Sequence, residues 1–229
     1  RRTAGGKHAS RVTAVGVVSA MQYGAAIHGL SDTDLARVQS VAAVSMTPAA
    51  SGRSRTAMFA IQGDPTWSAM VAPLIQWTRM AWRDTYLKDP EQVSTNLKLL
   101  KRKFSKAWTS SVRKDGDLLN EAGERQWNKV RGPVGAARLS LHRLGWTSTD
   151  GIHLVDDQGT SRRVTDHSPG MWSLFLKNSV QRLHERELGF AIGDPELVGQ
   201  RVCTDPVRRT FASAKIPKEG KQALRATSR

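Results

Sequence analysis

The chain has 229 residues, with 35 Lys and Arg against 20 Asp and Glu, a formal net charge of +15. Its single cysteine, Cys203, excludes an intrachain disulfide and a cysteine-based zinc site, and it fits an intracellular compartment, nuclear or cytoplasmic. No run of about 18 apolar residues occurs, so no membrane-spanning helix is expected.

An excess of charge this large points to a polyanionic partner, above all nucleic acid. The chain opens on Arg1-Arg2 without Met or an apolar signal core, and reads as a piece of something longer. Hydrophobic residues make up 39% and Trp accounts for seven positions, enough for a core though on the low side for a globular domain.

In chain order, residues 9–28 read as a helix of small and apolar residues that stops near Gly29. Ser31 or Asp32 then caps a helix to about Met46, with Leu35, Val38, Val41 and Ala42 on one face. Residues 47–63 hold Pro48, Gly52 and Gly63 and read as loop with a short helix near 56–61. Trp67, Met70, Leu74, Trp77 and Ala81 recur at helical spacing, and Pro73 among them predicts a kink or a fresh start. Asp64-Pro65, Asp89-Pro90, Ser168-Pro169, Asp194-Pro195 and Asp205-Pro206 are helix-start signals, each a capping oxygen followed by a proline suited to the first turn.

The clearest helix is predicted from about Pro90 to Ser110. Val93, Leu97, Leu100, Phe104 and Trp108 form its apolar stripe, with Lys98, Arg102 and Lys106 opposite and Lys101 and Lys103 flanking. Residues 111–131 are polar and read as a linker or mobile loop that Trp127 anchors. Pro133 to Leu144 forms a short helix with Val134, Ala137, Leu141 and Leu144 inward and Gly145 as its stop. Residues 152–155 and 160–165 flank Asp156-Asp157-Gln158-Gly159, a hairpin signal. The next helix has Trp172, Phe175, Leu176, Val180 and Leu183 on its apolar face and Gly189 at its end. Beyond Val202 the chain is basic and poorly patterned, and disorder is expected.

The strongest site candidate is the basic cluster Lys98, Lys101, Arg102, Lys103, Lys106, Arg113 and Lys114, joined by Arg131. Lys and Arg set against phosphates release counterions and so bind a nucleic acid backbone without reading its sequence. The competing reading is a solvated face of an amphipathic helix, and the overall charge favours binding. Arg131, Arg138, Arg143, Arg162 and Arg163 form a dispersed second set. Strand alternation sends Arg162 and Arg163 to opposite faces, so at most one meets a given ligand. Trp67, Trp77, Trp108 and Trp172 fall on apolar stripes and are assigned to the core, which leaves Trp82 and Trp127 as the stacking candidates.

Catalysis finds little support. Asp156-Asp157 could hold a metal, but adjacent Asp residues before a Gly are ordinary turn chemistry. His8, His28, His142, His153, His167 and His184 lack paired metal-binding spacing. No Gly-rich phosphate loop and no Gly-x-Ser-x-Gly elbow occurs.

The segment Val17-Val18-Ser19-Ala20-Met21-Gln22-Tyr23-Gly24, followed by Gly29-Leu30-Ser31 and Leu35-Ala36-Arg37-Val38-Gln39, resembles the region just after the polymerase core in reverse transcriptases of non-LTR retrotransposons. The stretches 130–137, 141–146 and 155–159, and Ser168-Pro169 with its helix, are similar to the continuation found in protist-type retroelement polyproteins. The resemblance spans most of residues 7–190. It implies a thumb and connection region, whose role is to hold a template–primer duplex by its backbone, with Tyr23 and Gly24 structural. The family's catalytic Asp pair is absent and would lie upstream of Arg1. RNase H carboxylates, an endonuclease His/Asp set and a Cys/His cluster are absent too.

The expected organisation is therefore mainly α, helical bundle segments with one small β-hairpin. It comprises a thumb-like helical segment over 1–63, an amphipathic segment with a basic face over 64–110, a polar linker over 111–132, a helix-hairpin-helix segment over 133–200 and a basic, disordered tail over 201–229. The expected function is non-catalytic, sequence-independent binding of RNA, DNA or their hybrid. No cofactor, metal or membrane is involved, and other parts of the same polyprotein are further partners. The alternative is an assembly module for an acidic protein partner.

Overall fold

A computed structural model of the chain describes residues 16, 20, 23–46, 54–193, 196 and 203–212. Most of the expected helix over 9–28, the Asp194-Pro195 start and the tail beyond 212 lie outside the described residues. Within them the chain is mainly helical with one two-stranded antiparallel sheet.

The helices are Ala25–His28 (α1), Asp32–Met46 (α2), Arg55–Gln62 (α3), Trp67–Met70 (α4), Ala72–Trp82 (α5), Val93–Asp115 (α6), Pro133–Leu144 (α7), Pro169–Ile192 (α8) and Asp205–Ala212 (α9). The strands His153–Val155 (β1) and Ser161–Arg163 (β2) lie between α7 and α8. Residue contacts group the chain into two compact units. One holds the described residues within 1–17, 37–66 and 180–229, the other those within 18–36 and 67–179, so α2 and α8 contribute residues to both.

The punctuation places most of these elements. The Ser31 hydroxyl accepts the Asp34 backbone N–H at 3.1 Å and caps α2, and Ser54 does the same for α3 through Ala57. Pro73 opens α5 after a break at Val71, the fresh start its position predicted. Helix α7 runs from Pro133 to Leu144 as expected, and Gly145 ends it in the left-handed region. There the Gly145 and Trp146 N–H groups return to the carbonyls of His142 and Leu141. The hairpin pairs His153 with Arg163, Leu154 with Arg162 and Val155 with Ser161.

Several expectations need correction. Val41 is exposed, because the buried stripe of α2 runs through Leu35, Val38, Gln39 and Ala42, and Val41 lies off it. The Asp89 side chain caps nothing; a 3₁₀ turn, Pro90–Gln92, leads into α6 instead. That turn is fastened by the Asn96 side-chain amide, which donates to the carbonyls of Thr85 and Asp89. Helix α6 continues past Ser110 to Asp115, since Ser111 and Asp115 extend its buried face and hydrogen-bond at 2.7 Å. Gly189 is a buried position inside α8, which ends at Gly193. The predicted disorder after Val202 is interrupted by α9, started by Asp205-Pro206. Leu183 is only half-buried, and His184 and Glu185 take the interior positions beside it.

The stretch after α6 is held in place. Leu118 is buried. The Asn120 side chain accepts the Glu124 N–H at 2.7 Å and donates to the Glu124 carboxylate at 2.7 Å, closing a small turn. Trp127 packs over Gly29, where any Cβ would collide with its ring. Its anchoring role is thus as expected, and the same packing removes it as a free stacking platform. Trp82 is half-buried and lies against Tyr86, ring centroids 4.4 Å apart.

In the unit containing α6, α7 is buried over much of its circumference, through Ala136, Ala137, Leu139, Leu141 and Leu144. Trp77 packs on Phe104 and Trp108 of α6, with centroids 4.1 and 6.0 Å away, and its indole N–H donates to the Gly151 carbonyl at 2.7 Å. The other unit centres on Val38, Ala42, Met58, Phe59 and Ala60 with a buried polar hub. Asp64 accepts from the Gln39 amide, the Thr66 N–H and hydroxyl and the His184 Nε2, at 3.0, 2.7, 2.6 and 2.9 Å.

Candidate nucleic-acid interface

The site is built on α6. Its apolar stripe exists because Leu100, Phe104 and Trp108 are spaced four residues apart and are buried, together with Ser111 and Asp115 further along. Burying that stripe fixes the rotation of the helix and so decides which face meets water. Lys98, Lys101, Arg102, Lys103, Lys106, Arg113 and Lys114 are all exposed. Lys98, Arg102 and Lys106 follow one another at i, i+4 and i+8, about 6 Å apart along the axis, on the side away from the core.

Two features sharpen this face. The helix has one acidic residue, Asp115, and it is buried and bonded to Ser111. None of the seven bases pairs with a carboxylate among the described residues. Ordinary solvated helix faces interleave both signs at i, i+4 spacing; this one carries a single sign for its length. Arg113 and Lys114 have an added structural reason, because they sit in the last turn where cations complement the helix dipole.

Arg131 is exposed on the segment that leads into α7. Close packing brings that segment to the end of α6: a methyl at Gly135 would strike the Asp115 carboxylate, and the Val130 side chain lies 3.5 Å from the same point.

The second set of arginines divides. Arg143 is buried, and its guanidinium donates to Asp32 at 2.7 and 3.0 Å and to the carbonyls of Met70 and Leu30 at 3.1 and 2.7 Å. It also lies 4.5 Å from the centroid of the Trp127 ring. Burial would raise the Asp32 carboxyl, but the charges and hydrogen bonds of Arg143 and Arg125 outweigh it and hold the group below its ordinary value. Arg162 pairs with Asp156 and lies 4.6 Å over the Phe175 ring. Arg138 is half-buried, and burial lowers its pKa against the opposing charges of Asp115 and Asp117. Arg163 is exposed, on the opposite face of the hairpin from Arg162.

The carboxylate pair Asp156-Asp157 is committed to structure. Asp156 accepts the N–H groups of Gln158 and Thr160 across the turn, and Asp157 accepts from the Ser179 hydroxyl at 2.6 Å and the Trp146 indole at 3.2 Å. Among the described residues no group of three or more His, Cys, Asp or Glu side chains could hold a metal ion. No described helix is long and apolar enough to cross a membrane.

Sequence reasoning missed His153 as a neighbour of the basic helix. The signal was its place directly opposite Arg163 in a hairpin of fixed register. No family model, curated protein or solved structure matches the chain.

Proposed function

We propose that this chain is a non-catalytic nucleic-acid-binding segment that grips RNA, DNA or their hybrid by the backbone, without sequence specificity. The observation that carries this reading is the outer face of α6, with seven exposed bases, no exposed acid and no internal ion pair. Such a face gains by meeting phosphates, because each contact releases condensed counterions. Long, exposed and unpaired basic side chains suit phosphate oxygens, so the face positions a strand rather than reading it. The resemblance to the thumb and connection region of retroelement reverse transcriptases supplies a setting, in which the ligand is a template–primer duplex. Polymerase chemistry is assigned to no residue of this chain.

The test is binding to a random-sequence duplex between about 50 and 200 mM salt. The logarithm of affinity should fall against the logarithm of salt with a slope of about −4 to −6, as four to seven phosphate contacts require. Scrambling the sequence at constant length should leave affinity unchanged. Absence of binding at low salt, with binding to an acidic protein in its place, would move the assignment to an assembly module.

A further inference from the structure

Between α6 and the hairpin lies a groove of about 190 Å³. Leu97, Leu100 and Ile152 supply its apolar floor, and Leu100 and Ile152 are each 3% exposed. Its rim carries three cations, Lys98 and Lys101 on the helix side and Arg163 on the hairpin side beside the His153 imidazole, and no carboxylate lines it.

The strand register makes the arrangement specific. His153 and Arg163 are direct cross-strand partners, so both project from one face of the hairpin, while Leu154 and Arg162 project from the other. Arg163 thus shares the groove with two lysines of α6, and no carboxylate in the lining offsets the three. On the other face Arg162 has Asp156 to neutralise it. Arg163 has no carboxylate partner among the described residues, and Asp150 engages only the Nδ1 side of His153. Converging cations over an apolar floor fit an anion that also carries an apolar face. A bare phosphate would leave the floor unused. A double helix keeps its base faces stacked inside and offers such a slot phosphates and sugar edges but no base face. A nucleotide in an unpaired strand offers both a phosphodiester and a free base face.

We propose that this groove seats one unpaired nucleotide of the bound nucleic acid, its phosphate among Lys98, Lys101 and Arg163 and its base face against Leu97, Leu100 and Ile152. The chain thereby distinguishes a single-stranded end from a blunt duplex. This rests on the nucleic-acid-binding reading above and adds a substrate preference to it.

The test compares, by fluorescence anisotropy with the full chain, a blunt duplex and a duplex with an unpaired extension, matched in total phosphates. The extended substrate should bind at least about fivefold tighter, equivalent to roughly 1 kcal/mol. Arg163→Gln, outside the α6 face, should erase that preference with duplex affinity unchanged, whereas Lys101→Gln should erase it and also weaken duplex binding; each should reduce the salt slope for the extended substrate by about 1. Lys114→Gln, away from the groove, should weaken both substrates alike. Equal affinity of the wild-type chain for the two substrates would overturn the groove assignment and leave duplex binding standing. A preference that survives both groove substitutions would also overturn it, since the unpaired strand would then lie elsewhere. Failure to bind either substrate at low salt would overturn the underlying reading itself.

Discussion

Two helices of the same compact unit carry basic residues and use them in opposite ways. Helix Val93–Asp115 holds seven on its exposed side, none paired with a carboxylate among the described residues. Helix Pro133–Leu144 buries Arg143, whose side chain is 3% exposed and fully engaged by Asp32 and two carbonyls. The formal charge counts both kinds equally. Only the first kind is available to a ligand, because withdrawing Arg143 would take the donor from the half-exposed Asp32 carboxylate and from two carbonyls. Net charge thus names a class of partner, and burial decides which residues can meet it.

The contrast recurs in the other unit, where the largest effect of a single substitution is expected. Both ring nitrogens of His184 face carboxylates, Asp64 at 2.9 Å and Glu187 at 2.9 Å, and the ring is buried. Burial alone would lower its pKa, but the hydrogen bonds and charges of Asp64 and Glu187 outweigh it and push it up to about 9. Asp64→Ala removes the acceptor of four hydrogen bonds and leaves a buried imidazolium, at a cost of about 3–5 kcal/mol in denaturant unfolding. A loss under about 1 kcal/mol would show the hub to be peripheral. The pH dependence follows from the same pair. The folded pKa of His184 lies above the unfolded value of about 6.5, so its contribution is full below that pH and is lost as pH rises through about 9. Asp64 is held below its ordinary value, burial opposing and His184 and Thr66 prevailing, so its contribution is lost at the acid end. His184→Gln should flatten the alkaline limb and also weaken the acid limb, because His184 is the first of the groups that hold Asp64 low, leaving Thr66 alone to do so.

Asp32→Ala comes next. It leaves Arg143 buried with carbonyl acceptors alone, and about 3 kcal/mol of destabilisation is expected; the half-exposed Asp32 keeps the figure at the lower end for a buried pair. Thermal or denaturant unfolding checks it, and nucleic acid affinity of the folded variant should not change. A variant that binds more weakly while equally folded would place Arg143 in the interface and erase the contrast between the two helices.

Much of the architecture was legible because its signals are local. Pro133 and Gly145 bracket one helix, Asp156 to Gly159 turn the hairpin, and the stripe of Leu100, Phe104 and Trp108 orients the basic helix. What stayed hidden depends on distant partners. Arg143 looked like one more cation because Asp32 lies 111 residues away in the chain. Asp64 read as a helix cap, and its bond to His184 spans 120 residues. A faint signal did exist for His184: it continues the i, i+4 row from Leu176 and Val180, a buried row in which a histidine needs a partner. Gly189 misled because a glycine inside a helix resembles a stop when the packing around it is unseen.

The smallest expected effect on stability accompanies the largest on binding. Charge reversal at Lys98, Arg102 and Lys106 should shift unfolding by no more than about 0.5 kcal/mol, since these side chains are exposed and unpaired. Measured as affinity for random-sequence duplex against salt, the folded triple variant should lose binding uniformly across sequences, with a salt slope shallower by at least about 3. Unchanged affinity and slope in that folded variant would contradict the account, because the exposed face of the 93–115 helix would then have no part in holding nucleic acid.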